Sequence, residues 1–367
     1  MSHVRIAIIG ALAFLGFTGQ LSAEISISEL IEEAGLREGA IAIRDFEGWR
    51  PPQKIVVRGG EGFVAALQAE FPDVQLVRAG STDEIQQHVA DADAIVGFCG
   101  VDAVNAATRL VWVQASSAGV ERCFAAEAIA SGDVMLTNMQ KMSSPAIGEH
   151  AIAMMLSLTR GLVHHTRIMP EGQWHRRVGD AIGMMSLDGK TLLVVGLGGI
   201  GTAAAKRASA LGMRVLATRN SSRSGPDFVD YVGLSGELHE LAAQADVVIN
   251  ALPLTPATEG IFDDAFFDAA KPGMFFINVA RGRSVVTDDL VAALRDGRVA
   301  GAGLDVTDPE PLPSDHPLWQ IPNVVITPHI AWYGSDGERQ RALERENIRR
   351  FIAGDALLNV VDPAQRY

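Results

Sequence analysis

The sequence is poor in cysteine and in positive charge, and each shortage excludes a class of protein. Only two of 367 residues are cysteine, too few for a disulfide framework. The 31 lysines and arginines are outnumbered by 44 aspartates and glutamates, which gives a formal net charge of −13. A chain this acidic lacks the positive field that attracts nucleic acid or an anionic membrane surface. Single basic side chains are therefore interpreted as local sites.

The cysteines and histidines do not follow the pattern of a metal site. Cys99 lies in an apolar run and Cys123 in a helical pattern, and we expect both to be buried free thiols. In an exported chain the same two residues would be able to pair. His164 and His165 are adjacent, so one helix face cannot present both rings to a metal. The sequence predicts no bound metal.

The N-terminus carries an apolar block that is too short for a comfortable transmembrane helix. Residues 1–5 are basic, residues 6–17 are uncharged and apolar, and small residues follow up to Ala23. This layout predicts a secretory signal peptide over residues 1–23 and a periplasmic or secreted mature chain with no stable membrane span. The alternative is a buried first strand over Val4–Gly10, in which case the protein stays in the cytoplasm.

The chain does have enough apolar residues for two packed domains. It is 48% hydrophobic and 20% charged, which excludes disordered and fibrous proteins. Apolar runs alternate with helical patterns from Lys54 to Ala115 and again from Thr191 to Thr327. This alternation predicts an α/β fold with parallel sheets. Residues 24–53 have a mixed pattern and are expected to form an irregular extension.

A glycine-rich turn follows the buried strand predicted over Thr191–Val195. Gly196, Gly198 and Gly201 stand at G-x-G-x-x-G spacing, and a helical pattern begins at Thr202. The first glycine permits the turn, the second lets the backbone approach a pyrophosphate, and the third lets the helix pack on the strand. The free N–H groups at the helix start then face the anion. Glycines alone also serve ordinary turns, but this context predicts dinucleotide binding.

The residues after the next strand indicate which dinucleotide binds. The strand Arg214–Thr218 is followed by Arg219, Ser221 and Arg223, and no acidic residue occurs before Pro226. An NAD site usually has Asp or Glu here for the ribose 2′-hydroxyl, whereas arginine accommodates a 2′-phosphate. NADP(H) is therefore favoured over NAD(H). The alternative is that both arginines are solvated side chains of a loop.

Three ionisable residues begin loops that follow predicted strands in the second half of the chain: Arg281, Glu310 and His329. Histidine supplies a proton near neutral pH, and a carboxylate partner fixes its ring. Arginine binds a carboxylate through two parallel hydrogen bonds. Because the carboxyl ends of parallel strands form the edge that binds ligands, we predict one site for all three beside a nicotinamide.

The first half of the chain offers one further candidate for ligand binding. A predicted strand is followed by Ser117, Ala118 and Gly119. Such a turn can aim backbone N–H groups at a carboxylate, although an ordinary strand-to-helix turn has the same composition. Further on, Ser144 as N-cap and Pro145 as first helical residue predict a long helix that crosses between the domains.

In this order the motifs resemble the D-isomer-specific 2-hydroxyacid dehydrogenases. The resemblance covers residues 55–363, and Arg219 is similar to the arginine of the NADPH-using glyoxylate and hydroxypyruvate reductases within that family. Its most specific segments are Gly196–Gly201, Asn278–Gly282, Gly303–Pro311 and Thr327–Ala331.

The resemblance implies two Rossmann-like domains with a cleft between them. Residues 54–150 and 332–367 would form the substrate domain, with a C-terminal helix that returns to it, and residues 151–331 the NAD(P) domain. The family also implies a homodimer and a small 2-oxo or 2-hydroxy acid as the other partner.

By resemblance, Arg281 would bind the substrate, Glu310 would pair with His329, and His329 would protonate the reduced oxygen. The turn 117–119 would receive the substrate carboxylate. The residues expected to contact the cofactor are Gly196, Gly198, Gly199, Ile200, Gly201, Arg219, Ser221, Arg223, Leu252, Pro253, Ala280 and Asp305.

The expected function is NADPH-dependent reduction of a small 2-oxo acid to a D-2-hydroxy acid. The predicted signal peptide departs from the family pattern, since most relatives are cytoplasmic and free NADPH is not expected outside the membrane. An exported nucleotide-binding sensor or interaction protein without useful turnover is therefore an alternative. A formate- or phosphite-type dehydrogenase is a further enzymatic alternative.

Overall fold

The computed structural model describes residues 26–335 and 337–365, and it has two parallel sheets covered by helices. This arrangement confirms the predicted α/β fold class. The signal peptide predicted over residues 1–23 lies outside the described residues. Within the described part of the chain, no helix is both long and apolar enough to cross a membrane.

The first sheet is buried on both faces. Its parallel strands pair in the order second, first, third, fourth, fifth. Val56 belongs to one apolar cluster, whereas Ile55 and Val57 belong to another, because successive side chains point to opposite faces. The strands are β1 (Lys54–Arg58), β2 (Gln75–Ala79), β3 (Ala94–Val96), β4 (Trp112–Gln114) and β5 (Met135–Thr137).

The second sheet contains a point at which the strand order reverses. Its strands are β6 (Thr191–Val195), β7 (Arg214–Thr218), β8 (Tyr231–Gly233), β9 (Val247–Asn250), β10 (Met274–Asn278), β11 (Val299–Leu304) and β12 (Val324–Ile326). They pair in parallel in the order β12-β11-β10-β9-β6-β7-β8. The chain runs outward from β6 through β7 and β8, then returns to β9 on the other side. Open α/β sheets bind ligands in the crevice at such a reversal.

Helices cover the faces of both sheets. Those of the described residues are α1 (Ile27–Ala34), α2 (Glu61–Glu70), α3 (Thr82–His88), α4 (Val101–Ala106), α5 (Glu127–Ala130), α6 (Ser144–Thr159), α7 (Leu162–Ile168), α8 (Gly199–Ala210), α9 (Leu238–Ala242), α10 (Asp264–Ala269), α11 (Thr287–Asp296) and α12 (Gly337–Ala353).

The long helix α6 joins the two halves and packs closely on α8. A Cβ on Gly148 would lie 2.8 Å from the Cβ of Ala203, so the helices approach at a glycine. The N-cap is Ser143, so the prediction of Ser144 was wrong by one residue. The reason is packing: the Ser144 side chain is buried, and its hydroxyl oxygen would lie 2.5 Å from a Cβ on Gly199.

Residues 26–53 contain the helix α1 and a short 3₁₀ turn over Ile43–Asp45, and most of the remainder is irregular, so the expected irregular extension missed only these two elements. The helix α1 begins after Ser26, whose hydroxyl accepts a hydrogen bond from the Glu29 N–H, and it ends at Gly35 with φ 59°. Leu30 of α1 is fully buried and clusters with Leu343 of α12. This contact spans more than 300 residues of sequence, so no local pattern reveals it.

Two short strands were also missed, and one helix begins earlier than predicted. The strands β5 and β8 have three residues each, too few to show a strand period. The helix α8 begins at Gly199, three residues before the expected Thr202. Glycines disfavour a helix interior but are tolerated in the first turn, where the N–H groups have no helical partner.

Cys99 and Cys123 form a disulfide, so the expectation of two free thiols was wrong. Their Cα atoms are 5.6 Å apart, within the range of natural disulfides. Cys99 follows β3 and Cys123 lies in a short helical turn after β4. Because β3 and β4 are parallel neighbours, the loops at their carboxyl ends meet, which the sequence spacing does not show.

Candidate active site

The glycine turn after β6 has the geometry that a dinucleotide phosphate requires. Gly196 has φ 97°, a left-handed conformation that favours glycine. A Cβ on Gly201 would lie 2.1 Å from the carbonyl oxygen of Gly196, so only glycine fits there. A Cβ on Gly198 would meet nothing within 4 Å, which leaves the start of α8 open to a ligand. These residues fit a dinucleotide.

Lys141 is a cation beside this turn that sequence reasoning missed. Its Cγ would lie 3.1 Å from a Cβ on Gly199, and its ammonium group donates to the carbonyl oxygen of Gly35. Burial lowers the pKa of this ammonium group, and the charges of Arg37 and Arg219 lower it further. Three cations from separate parts of the chain therefore lie near one another, and no motif connects them.

The two arginines after β7 are held differently. Arg219 donates to a backbone carbonyl oxygen at 3.1 Å, and none of the ion pairs of the described residues includes it. Arg223 pairs with Glu237 at 2.8 Å and donates to the Tyr231 hydroxyl at 2.8 Å. Hydrogen bonds from Tyr231, a backbone N–H and Arg223 lower the pKa of Glu237 to about 2. Arg219 and the exposed Ser221 are thus the groups available to an anion.

Two buried asparagines fix the ends of β9 and β10. Asn250 Nδ2 donates to Asn278 Oδ1 at 3.0 Å, and Asn278 Nδ2 donates to the carbonyl oxygen of Arg281 at 3.0 Å. Their side-chain oxygens accept hydrogen bonds at 3.1 Å from the N–H groups of Leu252 and Ala280. Leu252, the proline after it and Ala280 therefore lie at adjacent strand ends. Sequence reasoning did not find the asparagine pair, because each asparagine reads as an isolated strand residue.

His329 and Glu310 form a hydrogen-bonded pair, with 2.7 Å between Nδ1 and Oε1. An ionised carboxylate only accepts hydrogen bonds, so Nδ1 carries a proton and Nε2 is left for a ligand. The two side chains are 43% and 44% exposed, which keeps the pair open to a substrate. His329 has φ 56°, an uncommon conformation for a residue with a side chain, and its N–H donates to the carbonyl oxygen of Asp305 at 2.7 Å.

Arg281 reaches from the second sheet to the loop that follows β4 in the first. Its Nε donates to Glu121 Oε1 at 3.0 Å, and its Nη1 donates to the carbonyl oxygen of Ala280 at 2.7 Å. A Cβ on Gly119 would lie 1.7 Å from Nη2, so the guanidinium group packs directly against the Gly119 backbone. Ser117 Oγ closes this turn by donating to the Gly119 carbonyl oxygen at 2.7 Å. Glu121 was missed, since a single glutamate after a turn gives no signal.

Asp305 lies beneath the loop that carries His329. Its side chain is 2% exposed. Its oxygens accept hydrogen bonds from Thr327 Oγ1 at 2.6 Å and from the N–H groups of Ile330 at 2.9 Å and Ala331 at 3.0 Å. In this structure the Asp305 carboxylate therefore holds the 327–331 loop. The sequence analysis expected Asp305 to contact the cofactor and did not predict this role.

The site groups of the second half of the chain lie at one edge of the second sheet, where the carboxyl ends of its strands lie. The glycine turn follows β6, Leu252 follows β9, Arg281 follows β10, Asp305 follows β11, and His329 follows β12. This edge contains the reversal between β6 and β9. Among residues 26–335 and 337–365, no group of three or more His, Cys, Asp or Glu side chains is placed to hold a metal ion. The arrangement can bind a dinucleotide and an anion and can exchange a proton.

The fold and the site together define a nicotinamide-dependent oxidoreductase. Residues 152–331 match the NAD binding domain of the D-isomer specific 2-hydroxyacid dehydrogenases. The chain is 35% identical over 233 residues to a hydroxypyruvate reductase of Blautia hydrogenotrophica, a match that covers 62% of this chain and 71% of that protein. The chain belongs to the D-isomer specific 2-hydroxyacid dehydrogenase family.

Two solved structures have the same fold over most of this chain. One is a D-isomer specific 2-hydroxyacid dehydrogenase from Xanthobacter autotrophicus in complex with NADPH and MES (29% identity, TM-score 0.74, 86% of this chain and 100% of that chain). The other is an NADPH-dependent glyoxylate/hydroxypyruvate reductase from Sinorhizobium meliloti in complex with NADP and sulfate (26% identity, TM-score 0.74, 86% and 100%).

Proposed function

We propose that this protein reduces a small 2-oxo acid to the D-2-hydroxy acid, with NADPH as the reductant. The observation that carries the proposal is the 2.7 Å hydrogen bond between His329 and Glu310 at the ligand-binding edge. It orients one ring nitrogen and leaves the other for the substrate. The relatives named as hydroxypyruvate and glyoxylate/hydroxypyruvate reductases support a small 2-oxo acid as the substrate.

In the proposed reaction His329 is the general acid. The charged imidazole donates one N–H to Glu310 and the other, from Nε2, to the carbonyl oxygen of the substrate. The Glu310 carboxylate stabilises the positive ring before transfer and holds its orientation afterwards. As the carbonyl oxygen gains negative charge, it takes the Nε2 proton, and the ring becomes neutral while its Nδ1–H still donates to Glu310. The hydroxy acid is then formed without a free alkoxide.

Arg281 and the turn 117–119 bind the substrate carboxylate in this proposal. The guanidinium group lies against Gly119, and within the described part of the chain the N–H groups of residues 117–119 donate to no other group. Three free N–H groups beside a guanidinium form a binding site for a carboxylate. The substrate would then lie between the two sheets, with its carbonyl group towards His329.

NADPH is the proposed cofactor, and when bound it supplies the hydride to the carbonyl carbon. The glycine turn would hold the pyrophosphate, and Arg219 with Ser221 would bind the 2′-phosphate. No carboxylate stands at the end of β7 to prefer a 2′-hydroxyl. The NADPH and NADP complexes of the two similar structures support this choice.

The proposed domains are a substrate domain (54–150 and 332–367) and an NAD(P) domain (151–331). Phe351 of α12 packs on Trp112 of the first sheet with 5.1 Å between the ring centroids, which supports the return of the C-terminus to the first domain.

The proposed assembly is a homodimer. Three exposed apolar side chains, which support an interface, lie in one segment of the chain: Leu162, Met169 and Trp174. Light scattering measures the assembly, and a particle of monomer mass would contradict it.

We also propose that residues 1–23 are removed during export. The disulfide between Cys99 and Cys123 supports this, because disulfides persist mainly in oxidising compartments. N-terminal sequencing of the protein from fractionated native cells should give Glu24 as the first residue. A chain that retains Met1 and is found with cytosolic markers would contradict export.

The function is tested by the absorbance of the reduced nicotinamide with purified residues 24–367. NADPH and NADH are each mixed with glyoxylate, hydroxypyruvate, pyruvate and a bulky aromatic 2-oxo acid. Oxidation of NADPH by a small oxo acid is expected. Tight NADPH binding without turnover would favour a nucleotide-binding sensor, and reduction of NADP⁺ by formate or phosphite would favour the other dehydrogenase class.

A further inference from the structure

A chain of hydrogen bonds connects helix α6 to the loop that carries His329. His150 of α6 is 24% exposed, and its Nε2 lies 2.9 Å from Thr327 Oγ1. Thr327 Oγ1 in turn donates to Asp305 Oδ1 at 2.6 Å. The reaction proposed above uses none of these three side chains directly.

The direction of each hydrogen bond follows from the number of protons available. A threonine hydroxyl has one proton, and Thr327 gives it to Asp305. The hydroxyl oxygen can therefore only accept from His150, so the His150 ring carries a proton on Nε2. His150 therefore donates to Thr327, and Thr327 donates to Asp305. This order is fixed, because the carboxylate of Asp305 only accepts and Thr327 has one proton to give.

Asp305 transmits this order to the backbone of His329 and of the two residues after it. Its carbonyl oxygen accepts the His329 N–H at 2.7 Å, and its carboxylate accepts the N–H groups of Ile330 at 2.9 Å and Ala331 at 3.0 Å. His329 itself has φ 56°, a conformation that the surrounding contacts must hold. If the Asp305 carboxylate lost the hydrogen bond from Thr327 or rotated away, the loop would lose the contacts that hold it.

We propose that His150 is a positioning residue for His329, acting through Thr327 and Asp305. This inference rests on the proposed function, in which His329 is the general acid. His150 stands on the helix that joins the two halves of the chain, and α6 packs on α8 of the glycine turn. The hydrogen-bonded chain therefore ties the imidazole of His329 to the element that also supports the cofactor turn.

The test compares H150A, T327V, T327S and the double variant H150A/T327V in the full-length chain. T327V keeps the shape of the side chain and removes the hydroxyl, whereas T327S keeps the hydroxyl. A displaced general acid lowers kcat by about 10- to 100-fold in H150A and in T327V. T327S should stay within a few-fold of the unaltered enzyme, and the dissociation constant of NADPH should not change.

The kcat of the double variant shows whether His150 and Thr327 act on His329 through one chain of hydrogen bonds or independently of each other. If His150 acts only through Thr327, the loss of kcat in H150A/T327V equals the larger single loss. Losses that multiply, or a kcat of H150A within twofold of the unaltered enzyme, would overturn the proposal. A loss that only follows a lower melting temperature and is regained on cooling would also overturn it, because a merely structural role has that result.

An NMR measurement keeps this inference separate from the failure of the proposed function. The His329 Nδ1–H group that donates to Glu310 is observed with ¹⁵N-histidine labelling. Its signal is assigned as the one that changes in E310Q. In H150A and T327V this signal should shift or exchange faster, while T327S leaves it in place. If the enzyme has no turnover with any oxo acid, the proposed function fails. An unmoved His329 signal in H150A would overturn the positioning role whether or not turnover is found.

Discussion

At the carboxyl ends of β9 to β11, buried side chains hold the loops that carry Arg281 and His329. The loop after β7 is held instead by one exposed ion pair and by a hydrogen bond from Arg219 to a backbone carbonyl oxygen. Asn250, Asn278 and Asp305 are each at most 2% exposed, and their hydrogen bonds fix loop backbones. We call these strand ends the reaction end. We call Arg219–Arg223 with Glu237 the 2′-phosphate end, after the ligand proposed for it. There the partner of Arg223 is an exposed side chain.

This difference predicts different consequences of substitution. A buried hydrogen bond that loses one partner leaves a desolvated polar group, which costs about 1–3 kcal/mol and disturbs its neighbours. An exposed ion pair contributes little to stability, because water and salt replace it. Changes at the reaction end should therefore reduce the rate, while changes at the 2′-phosphate end should alter the choice of cofactor and preserve turnover.

The largest effect is expected for H329A. Loss of the general acid should lower kcat by about 10²- to 10⁴-fold, because the carbonyl oxygen must then take its proton from water. Steady-state kinetics with the best oxo acid measures the loss. NADPH fluorescence titration is the control and should give an unchanged dissociation constant, since His329 is distant in sequence and in role from the glycine turn. A variant that folds but no longer binds NADPH would contradict the assignment of His329 to the reaction end.

The comparison is sharpened by R219A, with R223A as its matched control. Arg219 has no acidic partner among the described residues, and in the proposed site its loss would remove a charge-assisted hydrogen bond to the 2′-phosphate. KM for NADPH should rise by about 10- to 100-fold, with kcat and KM for NADH nearly unchanged. Arg223 is already paired with Glu237 at 2.8 Å, so R223A should have a smaller effect. Equal losses for NADPH and NADH in R219A would contradict a 2′-phosphate site.

The sequence was sufficient for the parts of the site that follow strands and depend on local spacing. The α/β fold class was predicted from the alternation of apolar runs and helical patterns, and the family from the glycine turn and the ordered segments around Arg281, Glu310 and His329. Both are confirmed. Each of these segments can be recognised from the local sequence, because a strand end, a turn and a polar residue are neighbours along the chain.

Contacts between distant segments could not be predicted in the same way. Glu121 meets Arg281 across 160 residues, and His150 meets Thr327 across 177 residues. A lone glutamate or histidine has no local pattern, and only the packed fold brings it to its partner. The disulfide was only the alternative to two free thiols for the same reason. The loops that carry the two cysteines meet because they follow parallel neighbouring strands, which the sequence spacing does not show.

E121A tests whether the first sheet contributes to the reaction end. Glu121 accepts a hydrogen bond from Arg281 at 3.0 Å, but both side chains are at least 30% exposed, so solvent screens the pair. Freed from this partner, Arg281 should lose its alignment on Gly119. KM for the oxo acid should rise by about 5-fold, while NADPH binding stays the same. E121Q retains an acceptor oxygen and is the matched control. A fall in KM in E121A would show instead that Glu121 competes with the substrate carboxylate.

The smallest effect is expected for E237Q, which distinguishes the contribution of Arg223 to the 2′-phosphate end from that of Arg219. Glu237 holds Arg223 at 2.8 Å, and its pKa of about 2 keeps it charged at every ordinary assay pH. A carboxyl group with a lowered pKa supports its ion pair above the unfolded pKa and loses it only as the pH falls towards the folded value. Replacement by glutamine should release Arg223 to the 2′-phosphate and lower KM for NADPH by about 2- to 5-fold, equally at pH 6 and pH 8. In R223A/E237Q this gain should disappear. If E237Q instead raises KM for NADPH, the ion pair supports the loop, and the 2′-phosphate end is more rigid than its exposure indicates.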